Sequence, residues 1–175
     1  MEPGKETEAS DLVIRIIDEL VVHDYLEDGV WEVLRCLQPN QLTGNALISH
    51  FVLTAEIQDQ IVGTIEVRDN NHISLFCVES EYRQRGIGRR LLQKALELCV
   101  KYNPQISEVS VNSLPSVVNI YERLGFHPEK PEMMASNIPY TPMYLELSKG
   151  KNLQTIGVRS QQCRSTQQVA GSVNF

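Results

Sequence analysis

Two arginines and two glycines fall within six positions, Arg83-Gln84-Arg85-Gly86-Ile87-Gly88, and Arg89 and Arg90 follow directly. Glycine lets backbone N–H groups approach a ligand closely. Where a helix starts, its first N–H groups lack internal partners and carry the positive end of the helix dipole. Together these features bind phosphate. The Walker loop requires GxxxxGK[ST], and no Lys-Ser or Lys-Thr follows these glycines. The dinucleotide fingerprint requires a third glycine where this chain has Leu91. What remains is RxxGxG, a pattern short enough to read equally well as an arginine-rich helix cap.

A phosphate-binding turn needs a strand to deliver it and a helix to follow it. His72 to Val78 reads as that strand, and Gly86 to Tyr102 as that helix, with Ile87, Leu91, Ala95, Leu98 and Tyr102 on one face. Upstream, Phe51 to Gln58 and Ile61 to Arg68 alternate around Asp59-Gln60 as an antiparallel hairpin, and Asp69-Asn70-Asn71 turns the chain into the third strand of a meander. Leu12 to Ile17 reads as a first strand, Gly29 to Leu37 as a helix, and Ala46 to His50 as a short helical turn. Downstream come a strand at Glu108 to Asn112, a helix at Pro115 to Leu124 capped by Gly125, and a strand at Met143 to Leu147. The expected fold is a mixed α/β domain over residues 10–148, its antiparallel N-terminal meander leading into a β-α-β-α-β half. Residues 149–175 are rich in Gln, Ser, Gly and Thr and read as a disordered or loosely packed tail.

In this setting the chain resembles the GNAT acyltransferase superfamily. Leu75, Cys77 and Val78, then Tyr82, then Arg83 to Gly88 follow the order of the family's strand and (Arg/Gln)xxGx(Gly/Ala) turn. About 35 residues on, Asn119-Ile120-Tyr121-Glu122-Arg123-Leu124-Gly125-Phe126 resembles its Tyr-Glu-x-x-Gly-Phe block. The likeness spans roughly Leu12 to Leu147.

The resemblance implies a wedge between two parallel strands that holds coenzyme A. Phe76, Cys77 and Val78 would pair with pantetheine, and Arg83, Gln84, Arg85, Gly86, Ile87, Gly88 and Arg89 would surround the pyrophosphate. Tyr121 would be the general acid that protonates the departing thiolate, its plainer reading being a tyrosine packed on the core. The N–H of Val78 or Cys77 would meet the oxyanion. The positions where many relatives carry a glutamate base are not acidic here. His72, which titrates near neutrality, is the first candidate for a base and Glu66 the second. The asparagine common seven residues before the tyrosine is replaced by Leu114, and Asn119 or Asn112 stands nearby. The implied activity is acetyl transfer from acetyl-CoA to an amine. A non-catalytic acyl-CoA-binding regulatory module is the alternative.

Composition bounds the partners. The net charge of −6 gives no general field for nucleic acid or an anionic membrane. No apolar run approaches the roughly 20 residues of a membrane span. No CxxC pair or zinc-like Cys/His spacing occurs, so no metal is expected, and Cys77 and Cys99 read as buried thiols. The expectation is a cytoplasmic protein acting on a small-molecule or peptide amine. Homodimers are common in the family and compatible with this chain. Aminosugars, polyamines, amino acids, antibiotics and protein N-termini fit the sequence equally as acceptors.

Overall fold

The computed structural model describes residues 11–12, 14–15, 50–135, 138–147 and 172–174. Strands β1 (Phe51–Ile57), β2 (Gln60–Arg68) and β3 (His72–Val78) form the antiparallel meander. A 3-10 turn over Ser80–Tyr82 leads to helix α1 (Ile87–Tyr102). Strand β4 (Glu108–Ser113) follows, then a 3-10 turn at Pro115–Val117 running into α2 (Val118–Arg123). Short strands β5 (His127–Pro128) and β6 (Met133–Ala135) precede β7 (Ile138–Glu146), and β8 is Ser172–Asn174. The sheet order is β5-β7-β4-β3-β2-β1-β8, with β6 paired to β7 off that path. The mixed α/β fold read from the sequence is the fold of the molecule.

The core lies between the sheet and α1. Ile87, Leu91, Leu92, Ala95, Leu96 and Cys99 of α1 meet Ile65, Val67, Ile73, Val109 and Val111 of the sheet. Burying side chains of this size contributes about 1.5–3 kcal/mol each. Gly63 allows the close approach, because a Cβ there would stand 3.2 Å from Leu91 Cδ1.

Two β-bulges decide which side chains share a face. Val67 pairs with Ile73 and Glu66 with Leu75, leaving Ser74 as an extra residue on β3. Ile73 and Phe76, three apart, therefore both turn toward α1. A second irregularity, at Val62, sends Ile61 to the other face, where it packs with Leu12 and Cys77.

Two expectations need correction. Asp11, Leu12, Ile14 and Arg15 are helical, not a strand. A short apolar run is ambiguous in period, and here Leu12 is buried while Ile14 and Arg15 are exposed. The last strand begins at Ile138, five residues before Met143. Pro139 and Pro142 argued against that, yet both take ladder positions, opposite Met134 and Asn112, and the Pro142 carbonyl accepts from the Glu129 N–H at 2.9 Å. Within the tail, Ser172–Asn174 pairs in parallel with Thr54–Glu56. The helices expected at Gly29 to Leu37 and Ala46 to Ser49 lie outside the described residues, and His50 is not helical.

Candidate active site

Strands β3 and β4 are parallel but paired only at His72 with Ser110 and Ile73 with Val111. Beyond Ile73 no pairing joins them, so they part as they run toward the end where α1 starts. This is the splay that the resemblance implied. Glu79 donates its N–H to the Val62 carbonyl of β2 at 2.9 Å. Alternate residues of a strand point their backbone groups the same way. The backbone of Cys77 therefore turns toward β2, and that of Phe76 and Val78 toward the gap. Of the two oxyanion donors named from the sequence, Val78 faces the gap and Cys77 does not. The Val78 carbonyl is taken by Arg83, whose Nε donates to it at 2.9 Å.

The mouth of the gap is built by backbone conformation. Gln84 has φ +61° and Gly86 φ +83°, both left-handed. A Cβ at Gly86 would meet nothing within 4 Å, so dihedral preference and not space favours glycine there. The first α1 bond from this cap is Arg90 N–H to the Gly86 carbonyl at 3.1 Å. The N–H groups of Ile87, Gly88 and Arg89 precede it, and no side chain caps the helix. The guanidinium of Arg85 lies 5.2 Å from the centre of the Tyr82 ring. Phe76 and Val78 reach from the strand to Gly88, ordinary contact distances from a Cβ placed there.

On the far side, α2 presents Tyr121. Phe126 donates its N–H to the Tyr121 carbonyl and Gly125 to that of Glu122, each at 3.0 Å, which is a Schellman closure with Gly125 at φ +98°. This closure explains the Tyr-Glu-Arg-Leu-Gly-Phe block physically. It folds Phe126 back so that its ring stands edge-on to Tyr121, centroids 5.4 Å apart. The Tyr121 ring also meets Phe76 of β3, centroids 6.3 Å apart. Tyr121 is thus held across the gap from β3. Burial, and secondarily the neighbouring Cys77 thiol, push its phenol above the usual 10. The Cys77 thiol is itself raised to about 12, chiefly by burial. Asn119 is exposed on the same short helix.

The two candidate bases stand differently. Glu66 is buried, 1% exposed, and its Oε1 is 2.7 Å from His50 Nε2 and 3.1 Å from Arg68 Nη2. Its carboxylate is therefore engaged. His72 lies at the closed end of the gap, half-buried, with Nδ1 3.0 Å from Ser110 Oγ. Burial, and next Arg68, lower its pKa from 6.5. His50, Arg68 and Ser110 were not singled out from the sequence. For His50 and Ser110 no local pattern could have done so, because only strand register brings residues 16 to 38 positions apart into contact; Arg68 stands two residues from Glu66 on β2, where strand alternation alone puts both on one face. Among the described residues no His/Cys/Asp/Glu group could hold a metal, and no helix is long and apolar enough to cross a membrane.

A parted parallel strand pair, a helix N-terminus at its mouth and a buried phenol on its far wall define a site suited to acyl transfer from a phosphate-bearing donor. The family model described as the acetyltransferase (GNAT) domain matches residues 21–147. The chain belongs to that family and is an acyltransferase of the N-acetyltransferase class. Its fold is similar to that of a GCN5-related N-acetyltransferase from Rhodopseudomonas palustris, with 18% identity and a TM-score of 0.70 over 84% of this chain and 92% of that one. It is also similar to the PaiA N-acetyltransferase from Thermoplasma acidophilum, crystallised in complex with coenzyme A, with 17% identity and a TM-score of 0.69 over 84% and 96%. A GNAT acetyltransferase from Staphylococcus aureus Mu50 has 21% identity and a TM-score of 0.64 over 85% and 96%.

Proposed function

We propose that this chain moves an acetyl group from acetyl-CoA to a primary amine by direct attack. The observation that carries the proposal is the parting of β3 from β4 after Ile73, with Tyr121 on the opposite wall. The open-side backbone of Phe76 and Val78 suits the amides of pantetheine. The turn from Gln84 to Arg89 suits the pyrophosphate, through backbone N–H groups and the dipole of a 16-residue helix. Coenzyme A complexed with the Thermoplasma protein supports the same donor here. These residues constitute the donor half of the site, and residues 10–148 constitute the domain that carries it.

The chemistry follows from the groups at hand. The neutral amine attacks the thioester carbonyl, and the charge on oxygen is met by the Val78 N–H. Collapse expels the thiolate, which takes its proton from Tyr121. That phenol is held protonated at neutral pH. The amine must also lose a proton. We assign this to His72, acting through water in the gap because six residues of strand, about 20 Å, separate it from Val78, over Glu66, because the Glu66 carboxylate is committed to His50 and Arg68 whereas a neutral imidazole has a lone pair to offer.

The test is thiol release from acetyl-CoA against aminosugars, polyamines, amino acids and peptide N-termini, alongside calorimetry of coenzyme A binding. Turnover with at least one amine is expected. Binding of coenzyme A with no turnover against any of them would leave a binding module and sink the catalytic assignment.

A further inference from the structure

Ser110 sits where β4 meets β3, and its hydroxyl has two neighbours. Oγ lies 3.0 Å from His72 Nδ1 and 3.4 Å from the Asn71 carbonyl oxygen. A carbonyl oxygen only accepts, and a serine hydroxyl carries a single proton. Both contacts are hydrogen bonds at once in one arrangement: Ser110 donates to Asn71, and Nδ1–H of His72 donates to Ser110. The backbone fixes this geometry, since the Ser110 N–H also donates to the Asn71 carbonyl, at 2.8 Å, and His72 and Ser110 are register partners.

We propose that Ser110 is a positioning residue that holds His72 in the Nδ1–H tautomer, leaving Nε2 as the bare nitrogen that takes up, through water in the gap, the proton the acceptor amine releases. The proposal rests on His72 being the base of the acetyl transfer. The proton balance is simple. The amine N–H bond breaks, water in the gap carries the proton, and an Nε2–H bond forms; Nδ1 keeps its own proton, hydrogen-bonded to Ser110 Oγ, and the imidazolium later returns the Nε2 proton to water. The serine proton stays on Oγ, donated to the Asn71 carbonyl throughout, so Ser110 sets the direction of the base without itself exchanging a proton.

The groups around His72 favour a neutral ring. Its register partner on β2 is Arg68, which binds Glu66, and Asp69 lies in the adjoining turn. From β4 it meets Ser110, with Glu108 two residues earlier, and Tyr144 of β7 is the register partner of Ser110. Arg68 opposes protonation and Asp69 favours it, the larger influence being burial. A neutral ring carries one proton, and which nitrogen holds it is then decided by the hydrogen bond at Nδ1.

Ring-nitrogen NMR of the full-length 15N-labelled protein reads the tautomer directly, with His72→Gln used to assign the His72 signals among those of the four histidines. At pH 8 the protein should show His72 protonated at Nδ1. Ser110→Ala should convert it to the Nε2–H form or a mixture, and Ser110→Thr, which keeps the hydroxyl, should restore Nδ1–H. A protein already in the Nε2–H form, or a Ser110→Ala variant with an unchanged tautomer, overturns the proposal. Thiol release from acetyl-CoA with the fastest amine of the panel separates this from the catalytic reading. Ser110→Ala should lower kcat/KM about ten-fold, the worth of one hydrogen bond. If His72→Gln keeps the full rate, His72 is not the base, whatever its tautomer. Should Ser110→Ala fail to fold, the wild-type tautomer alone still decides, because an Nε2–H ring refutes the arrangement.

Discussion

Replacing Tyr121 by phenylalanine isolates one hydroxyl. The ring is 8% exposed and packs against Phe76 at 6.3 Å and Phe126 at 5.4 Å. Phenylalanine fills the same space, so stability should change by no more than about 1 kcal/mol, the net worth of a single hydrogen bond. Coenzyme A affinity should change little, since the proposed contacts to it are mostly backbone. The chemical step is another matter. General acid catalysis contributes about 100- to 10,000-fold, so the turnover rate should fall at least roughly 100-fold, or about 2.7 kcal/mol in the barrier. Burial and the adjacent thiol hold the phenol above its usual 10, so it is protonated from pH 6 to 9 and the fold-loss should be the same across that range. The assay is single-turnover thiol release at saturating acetyl-CoA and amine, with urea unfolding and calorimetry as controls. An unchanged rate in a stably folded Tyr121→Phe protein would refute the role given to Tyr121.

Three further outcomes follow from the same geometry. Gly86→Ala should lower stability by about 1 kcal/mol, because φ +83° strains any side chain even in open space, whereas Gly88→Ala should be neutral or gain up to about 1 kcal/mol from helix propensity; equal urea midpoints for the two would contradict this. Glu66→Gln should cost about 3 kcal/mol, the low end for breaking a buried ion pair, because the Arg68 side chain is 40% exposed and can turn to water. A change below about 0.5 kcal/mol would show that the pair contributes nothing. For His72 the folded pKa lies below 6.5, so the unfolded chain binds the proton first as pH falls. Its contribution is complete above about pH 6.5 and is lost as pH drops through the lowered value. His72→Gln should therefore lose less stability than the wild type between pH 7 and 5 in urea titrations, and parallel curves would count against it.

The sequence determined the parts that depend on neighbours along the chain. Period-two alternation gave β1, β2 and β3, and the 3.6-residue period gave α1, because each is read within a window of a few residues. The turn from Arg83 to Gly88 and the cap at Gly125 were legible because left-handed backbone selects glycine. What it misread was also local: Leu12 to Ile17 is too short to separate strand from helix, and the prolines of β7 hid a strand that its neighbours complete. Tertiary structure alone decided the rest. The single extra residue at Ser74 sets which side chains of β3 face α1, and a bulge has no reliable mark in sequence. Register alone joins His50 to Glu66 and His72 to Ser110. The gap beside Phe76 and Val78 exists because β3 and β4 stop pairing after Ile73, and a missing pairing between strands more than 30 residues apart leaves no trace in either one.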